Sequence, residues 1–330
     1  MPSFERDSNR IVIAGASSLL GAELKSLLEE SRFAGWDLRL VDEEVAAGTL
    51  TEAGGEPAVV QPVEEGSFER ARLVFFTGSP EFTGVNLVAA RLGGGTVIDL
   101  SGGSLGKAES KLWHPRAEMK LEKNKSYAVL SAPASVAVAL LDALNTIGLH
   151  RLGLIFFRPV SEAGRRGIEE LEGQTSQLLS LQSIGQPVFD TQVAFSMLNR
   201  YGAASRENLS AIRERIHKEV GPLVGKPGVL PSIQIVHAPI FYGYTFAALA
   251  ETAPVTTGAK LADACRDAGF LIWNNMDGPL GNLSAGDAAM RLVLPEENPP
   301  PAGAWWSWGA LDNFKLPAAN AVKLAEKLTE

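Results

Sequence analysis

The chain has 330 residues, 45% of them hydrophobic and 21% charged, with 33 glycines and 19 prolines; that length sets two domains as the prior for an ordinary globular composition. Its formal net charge of −8 lacks the basic surface that a nucleic acid or an anionic membrane requires. A single cysteine, Cys265, excludes an internal disulfide framework and fits a reducing compartment, and the histidines His114, His150, His217 and His237 show no ligand spacing, so no metal site is visible.

The N-terminal stretch MPSFERDSNR is polar and lacks the apolar core of a signal peptide. The most apolar run, Ala132 to Leu141, is too short to span a bilayer and is closed by Asp142. The expectation is a cytoplasmic protein with no membrane partner.

Arg10 to Glu30, RIVIAGASSLLGAELKSLLEE, opens with the apolar residues Ile11 to Ala14, turns on Gly15 and shows helical spacing through Leu20, Leu24, Leu27 and Leu28. A short strand, a glycine turn and an amphipathic helix make the first half of a βαβ unit. Gly15 and Gly21 stand where a dinucleotide fold needs a tight turn and a close helix–strand contact, and the helix start then faces a pyrophosphate. The middle position of the fingerprint is Ser18, whose side chain narrows that approach. The alternative is a βα turn that binds nothing.

A second strand, Leu38 to Val41, ends on Asp42. An acid at this place can hydrogen-bond the ribose hydroxyls of NAD and repels the extra phosphate of NADP; the alternative is a solvated acidic turn with Glu43 and Glu44. Thr49 to Val63 suits a short edge hairpin. Leu73 to Thr77 and Thr96 to Leu100 are buried strands separated by a helix from about Phe82 to Leu92. The alternation predicts a parallel sheet with helices on both faces, and ligands at the carboxyl ends of its strands. The expected cofactor site is Gly15, Ser17, Ser18, Leu19 and Gly21, with Asp42, Thr77, Gly78, Ser101 and Gly102; NAD is favoured over NADP, and no cofactor at all is the alternative.

Tyr127 to Leu130 reads as another strand, followed by an apolar helix from Ala132 to about Ile147. Ser131 can cap it and Pro133 suits its first turn. Ser135 falls in that turn, at the positive end of the dipole. A cysteine there would be a nucleophile, whereas a serine needs an adjacent base.

End to end, the chain resembles the aspartate-semialdehyde dehydrogenase family. GASSLLGAEL at 15–24, VIDLSG at 97–102, APAS at 132–135, PVSEAGRRGIEEL at 159–171, QVAF at 192–195, SRENLSAIRERIHKEV at 205–220, HAPIFYGY at 237–244 and DNFKLPAANAVKLAE at 312–326 carry the resemblance through their order and spacing. It implies reduction of an aspartyl phosphate with NADPH in amino-acid biosynthesis. It also implies an α/β architecture: an N-terminal Rossmann-type parallel sheet over 1–132 plus 314–330, and an α+β dimerisation and substrate domain over 133–313. The residues agree. Longer alternating strands follow Arg151, at Leu152 to Val160, Ile233 to Ile240 and Gly243 to Ala250, and the last helix has an apolar face of Ala318, Ala321, Val322, Ala325 and Leu328 that must dock somewhere.

The departures are chemical. The resemblance puts the family's nucleophilic cysteine on Ser135, its catalytic histidine on Tyr244, its substrate-binding arginine on His237 and its orienting glutamine on Arg158. The phosphate-site arginine and lysine fall on Leu105 and Ser210; the glutamate of that element is kept as Glu207. Acidic residues in VDEEVAAG replace the arginine that would hold the NADP phosphate. A phenol is a poor base at neutral pH, and the thiol mechanism has no thiol.

Three classes of function stay open: a non-catalytic protein that binds a nicotinamide cofactor and dimerises, an oxidoreductase using Ser135, Tyr244, His237 and Arg158 on another substrate, and a purely structural or interaction protein. The second requires a cation, such as Arg158, to lower the Tyr244 pKa. A homodimer through the second domain is expected. Trp305, Trp306 and Trp308, which follow the loop Pro299 to Pro301, either build the core or cover the interface.

Overall fold

A computed structural model describes residues 9–46, 48–53, 56–224, 228–295 and 302–330; the loop Pro299 to Pro301 lies outside them. The chain divides into two compact units, Met1–Ser131 with Pro317–Glu330, and Ala132–Leu316.

The first unit opens with β1 (Arg10–Ala14), α1 (Leu19–Glu29) and β2 (Asp37–Asp42). The antiparallel hairpin β3 (Leu50–Ala53) and β4 (Glu56–Val59) follows, then β5 (Gln61–Pro62), β6 (Leu73–Phe76), α2 (Pro80–Leu92), β7 (Thr96–Asp99), β8 (Ser110–Trp113) and β9 (Ser126–Val129). Seven strands form one sheet in the order β5-β2-β1-β6-β7-β9-β8, every neighbouring pair parallel. Strand alternation sorts its two faces. Ile11 and Ile13 pack with Leu24 and Leu28 of α1, while Val12 and Ala14 pack with Phe82, Leu87 and Ala90 of α2. A parallel sheet is stable only when both faces are covered in this way.

Two details differ from the sequence expectation. The hairpin is confined to β3 and β4, and β5 leaves it to pair with β2 at the sheet edge. Strand β8 was not foreseen, because SKLW is half polar; it lies at the other edge, pairs with β9 and buries Trp113.

The second unit begins with α3 (Ala132–Asn145), buried along nearly its whole length, then β10 (Leu149–Arg158), α4 (Gly164–Leu179) and α5 (Leu209–Val220). β11 (Ser232–His237), β12 (Tyr244–Thr252), α6 (Gly258–Asp267), β13 (Phe270–Ile272), β14 (Met290–Val293) and β15 (Ala304–Leu311) complete it. Its mixed sheet runs β11-β10-β12-β15-β14-β13, with β10 parallel to β11 and antiparallel to β12. Leu152, Leu154, Phe156, Ile233, Ile235, Phe246 and Ala248 are buried on the side to which α3 and α5 pack. The alternate residues Ile155, Phe157, Val236, Ala247 and Leu249 are only half-buried.

β15 splits the three tryptophans between the two faces. Trp305 is buried and donates to Thr252 Oγ1 at 3.0 Å, whereas Trp306 and Trp308 are 56% and 37% exposed on the outer face, where Trp308 lies 5.6 Å from the Phe157 ring. The final helix, α7 (Lys315–Thr329), returns to the first unit, and Ala318, Ala321, Val322, Ala325 and Leu328 join the core that contains Ile11 and Ile13. Among the described residues no helix is long and apolar enough to cross a membrane.

Candidate functional site

In the first unit the glycine turn is fixed by close backbone approach. Gly15 has φ +91°, and a Cβ there would fall 2.2 Å from Gly78 N. A Cβ at Gly21 would fall 2.6 Å from Gly15 O. Both positions therefore need glycine. Ser18 caps α1, accepting from Gly21 N at 2.9 Å, while its hydroxyl donates to Thr77 O at 2.9 Å. Thr77 is buried and its hydroxyl donates to Gly15 O at 3.0 Å. Ser18 and Thr77 thus tie the turn after β1 to the end of β6, with Leu19 as the first residue of the helix.

Asp42 is also turned inward. One carboxylate oxygen accepts from Ser17 N at 2.8 Å and from the Ser17 hydroxyl, the other from Glu43 N at 2.8 Å. The acid at the end of β2 thereby holds the glycine-rich loop; Glu43 and Glu44 remain exposed. Ser101 is spent internally as well. Its N–H donates to Asp99 Oδ1 at 2.8 Å, and its hydroxyl lies 2.6 Å from that oxygen and 2.7 Å from Thr83 Oγ1. The fully buried Asp99, which also accepts from Gly102 N and Ser104 N, organises this turn and was overlooked in the sequence.

The second unit holds Ser135, Arg158, His237 and Tyr244, the positions to which the resemblance assigns chemistry. β10 and β11 are in parallel register with Arg158 paired to His237. Arg158 is 2% exposed. Its Nη2 donates to Glu207 Oε2 at 2.7 Å and its Nη1 to the Tyr201 hydroxyl at 3.1 Å. Tyr201 lies 3.3 Å from His237 Nδ1, and His237 Nε2 lies 3.4 Å from Val193 O. A carbonyl can only accept, so Nε2 carries the ring proton and Nδ1 accepts from Tyr201.

The electrostatics follow from burial. Desolvation pushes the His237 pKa down to about 4, with the Arg158 charge acting the same way. Burial opposes the Arg158 charge too, but the surrounding oxygens of Tyr201, Glu207, Tyr244 and Glu162 outweigh it and hold the guanidinium protonated. Burial likewise raises Tyr201.

Tyr244 is fully buried at the start of β12, edge-on to Phe156. Its hydroxyl donates to Glu162 Oε2 at 3.2 Å. Burial and Glu162 raise its pKa well above the ordinary phenol range, and the lowering by Arg158 is the smaller effect. This corrects the expectation of a phenol made acidic by Arg158: a group so placed keeps its proton. Asn313 completes this side, donating to Glu162 Oε1 at 2.9 Å and accepting from Gly243 N at 3.0 Å.

Ser135 sits in the first turn of α3, 8% exposed, and its hydroxyl has no hydrogen-bond partner. No base activates it in this state. Ser210 is in the first turn of α5, where Asn208 caps the backbone N–H groups of Ser210 and Ala211. Neither Ser210 nor the half-buried Leu105 offers a charge to a phosphate.

Tyr201, Glu162 and Asn313 were missed. Glu162 and Asn313 lie within PVSEAG and DNFKLP, the segments that carry the family resemblance, and could have been found there. Tyr201 lies between α4 and α5 in a stretch without periodicity, and no local signal marks it.

No family model matches the chain. The USG-1 protein homolog of Pseudomonas aeruginosa is 28% identical over 328 residues, covering 96% of this chain and 97% of that protein. Aspartate-semialdehyde dehydrogenase 2 of Vibrio cholerae is 24% identical over 326 residues, with 96% and 97% covered. The solved structure of a probable aspartate-semialdehyde dehydrogenase from Pseudomonas aeruginosa matches with a TM-score of 0.87 and 27% identity, over 97% of this chain and 98% of that one. The fold and the homologues are those of the aspartate-semialdehyde dehydrogenase family. The positions to which the resemblance assigns chemistry are occupied in this chain by Ser135, Arg158, His237 and Tyr244, and three of these four belong to the buried polar clusters just described.

Proposed function

We propose that this protein is a non-catalytic relative of aspartate-semialdehyde dehydrogenase, one that binds a nicotinamide dinucleotide and self-associates without the thiol-based reductive dephosphorylation. The observation that carries this reading is the Arg158 cluster. The guanidinium that stands at the orienting glutamine is neutralised by Glu207 and bonded through Tyr201 to a neutral His237. The two Nη groups are committed in this way and are not free to grip a substrate carboxylate or to relay protons, while the buried Nε has no partner among the described residues. Ser135 has no base, and Tyr244 retains its proton beside Glu162.

Dinucleotide binding is supported by the close backbone approach at Gly15 and Gly21, which keeps the turn and the start of α1 free of side chains at these two positions. Exposed Glu43 and Glu44 beside the buried Asp42 favour NAD over NADP, since a 2′-phosphate would meet like charge. A homodimer is supported by the outer face of the second sheet, where Ile155, Phe157, Leu249, Trp306 and Trp308 present apolar surface.

Incubation of the purified protein with aspartate semialdehyde, phosphate and either NAD or NADP tests the reading. No reduction of either cofactor is expected, with NAD binding detectable by calorimetry. Phosphate-dependent turnover would overturn it.

A further inference from the structure

The solvent side of α2 presents a seam that the proposed function leaves unused. Val85, Val88 and Leu92 are 81%, 63% and 83% exposed, spaced three and four residues apart, as on a helix that packs against another helix. The opposite side, Phe82, Thr83, Leu87 and Ala90, fills the core. Gly84 and Ala89 flank the seam and are exposed, and a Cβ built at Gly84 meets nothing within 4 Å, so a second backbone can come close. Charge stands only at the ends, Glu81 in the first turn and Arg91 in the last. Arg91 also pairs with Glu109 of the same chain.

We propose that α2 is a self-association surface on which a second copy of this chain lays its own α2, antiparallel and about a two-fold axis. With the axis between Asn86 and Leu87, Val85 of one copy meets Val88 of the other, Gly84 meets Ala89, and Glu81 comes beside Arg91 and Leu92. The contact is isologous, so one complementary patch serves both copies. Charge decides the direction. A parallel pair would set Glu81 against Glu81 and Arg91 against Arg91, whereas the antiparallel pair sets opposite charges together at both ends. The guanidinium has five donors, enough to serve Glu109 and the incoming Glu81 at once.

A helix of this length, about 20 Å, covers less than the roughly 1,000 Å² that a stand-alone interface needs. The contact therefore acts beside another one, joining copies already held by the outer sheet face of the second unit. Pairing of preformed dimers makes the second contact effectively concentrated. To this extent the inference rests on the dimer in the proposed function.

Sedimentation equilibrium of the full chain over micromolar to submillimolar concentration tests it. The wild type is expected to pass from dimer to tetramer. Val88→Glu and Leu92→Glu, at exposed positions that leave the core intact, are expected to weaken the dimer–tetramer step by at least about tenfold, as an unpaired charge in an apolar contact should. Val255→Glu, at a position 80% exposed in the second unit, should change nothing. Trp306→Glu strikes the sheet face instead. It is expected to leave monomers, because the α2 contact is too small to hold two copies alone; a dimer that survives in Trp306→Glu would overturn the sheet-face dimer on which this inference rests. A wild-type mass that stops at the dimer, or an unchanged distribution in Val88→Glu, overturns the proposal and leaves the seam to a different protein.

Discussion

Arg158 and His237 stand opposite each other in the parallel register of β10 and β11, and the hydroxyl of Tyr201 lies between them, 3.1 Å from Arg158 Nη1 and 3.3 Å from His237 Nδ1. The family resemblance puts an arginine at the β11 position and a glutamine at the β10 position. In this chain the cation stands on β10 and the imidazole on β11, at the same level of the sheet. What results is a line of donors from guanidinium to phenol to imidazole to the Val193 carbonyl, closed on the other side by Glu207.

The first prediction concerns pH. An unfolded imidazole takes up its proton near pH 6.5 and the folded His237 near 4, so between these values the unfolded chain binds more protons. Stability therefore rises with pH across that window and falls as the pH drops from 6.5 toward 4, by about 3 kcal/mol in full. The raised carboxyl of Glu170, buried against the N–H groups of Val188 and Phe189, acts in the opposite sense. The comparison is thus made with His237→Gln, by urea unfolding at pH 6.5 and 4.5. The wild type should lose more stability than the variant, and equal losses would show that His237 is not the titrating group.

The Arg158–Glu207 pair should respond asymmetrically. Glu207→Ala leaves a guanidinium buried without its main counter-charge and is expected to cost about 3–5 kcal/mol. Arg158→Met leaves a carboxylate whose side chain is 26% exposed and can be hydrated, so its cost should be near 2 kcal/mol or about half as much. Chemical denaturation of both variants at neutral pH decides the order. A larger loss in Arg158→Met would contradict the burial of the cation.

Restoring the family's chemistry should need more than the cysteine. Ser135→Cys alone is expected to show no turnover with aspartate semialdehyde, because Tyr244 and His237 still lack the base and the carboxylate fork. Adding Tyr244→His and His237→Arg places a second guanidinium beside Arg158 in the register. That variant is predicted to lose about 3 kcal/mol through like-charge burial, and Arg158→Gln should recover both stability and the first measurable activity. Turnover by Ser135→Cys alone would show that the pocket supplies a base not identified here.

For the cofactor, Asp42→Ala should weaken NAD binding chiefly by loosening the loop at Ser17. Replacing Glu43 and Glu44 by lysine should instead shift preference toward NADP, by about tenfold if one like-charge contact becomes an attractive one. Calorimetric titration of both nucleotides distinguishes the two effects. Tighter NADP binding by the unaltered protein would mean that other residues hold the phosphate.

The alternating architecture was legible because each strand and helix of the first unit advertises itself locally. The apolar run Ile11 to Ala14, the turn at Gly15 and the helical spacing from Leu19 need no distant partner to be recognised. The outer glycines could be read for the same reason, since their need is steric and backbone-deep. The polar wiring was not legible. Tyr201 joins residues 43 and 36 positions away, and Asn313 joins Glu162 across 151 positions; nothing in the neighbouring sequence encodes such partners. Asp42 and Ser101 were read as facing a ligand because strand ends usually do, yet their oxygens complete loop hydrogen bonds that only the folded turns create. Strand β8 was hidden by its polar edge position.

The placement of α7 inverts the order in which the two units can be completed during synthesis. Once residue 131 has emerged from the ribosome, every strand of the parallel sheet is present. The Ile11 and Ile13 face, however, still lacks Ala318 to Leu328, which are translated only after the whole of the second unit. The second unit is continuous from 132 to 316 and has no such wait. The nascent N-terminal unit must therefore carry part of its apolar sheet face uncovered while nearly two hundred further residues are translated, the stage at which a chaperone or an early dimer contact would have most to protect.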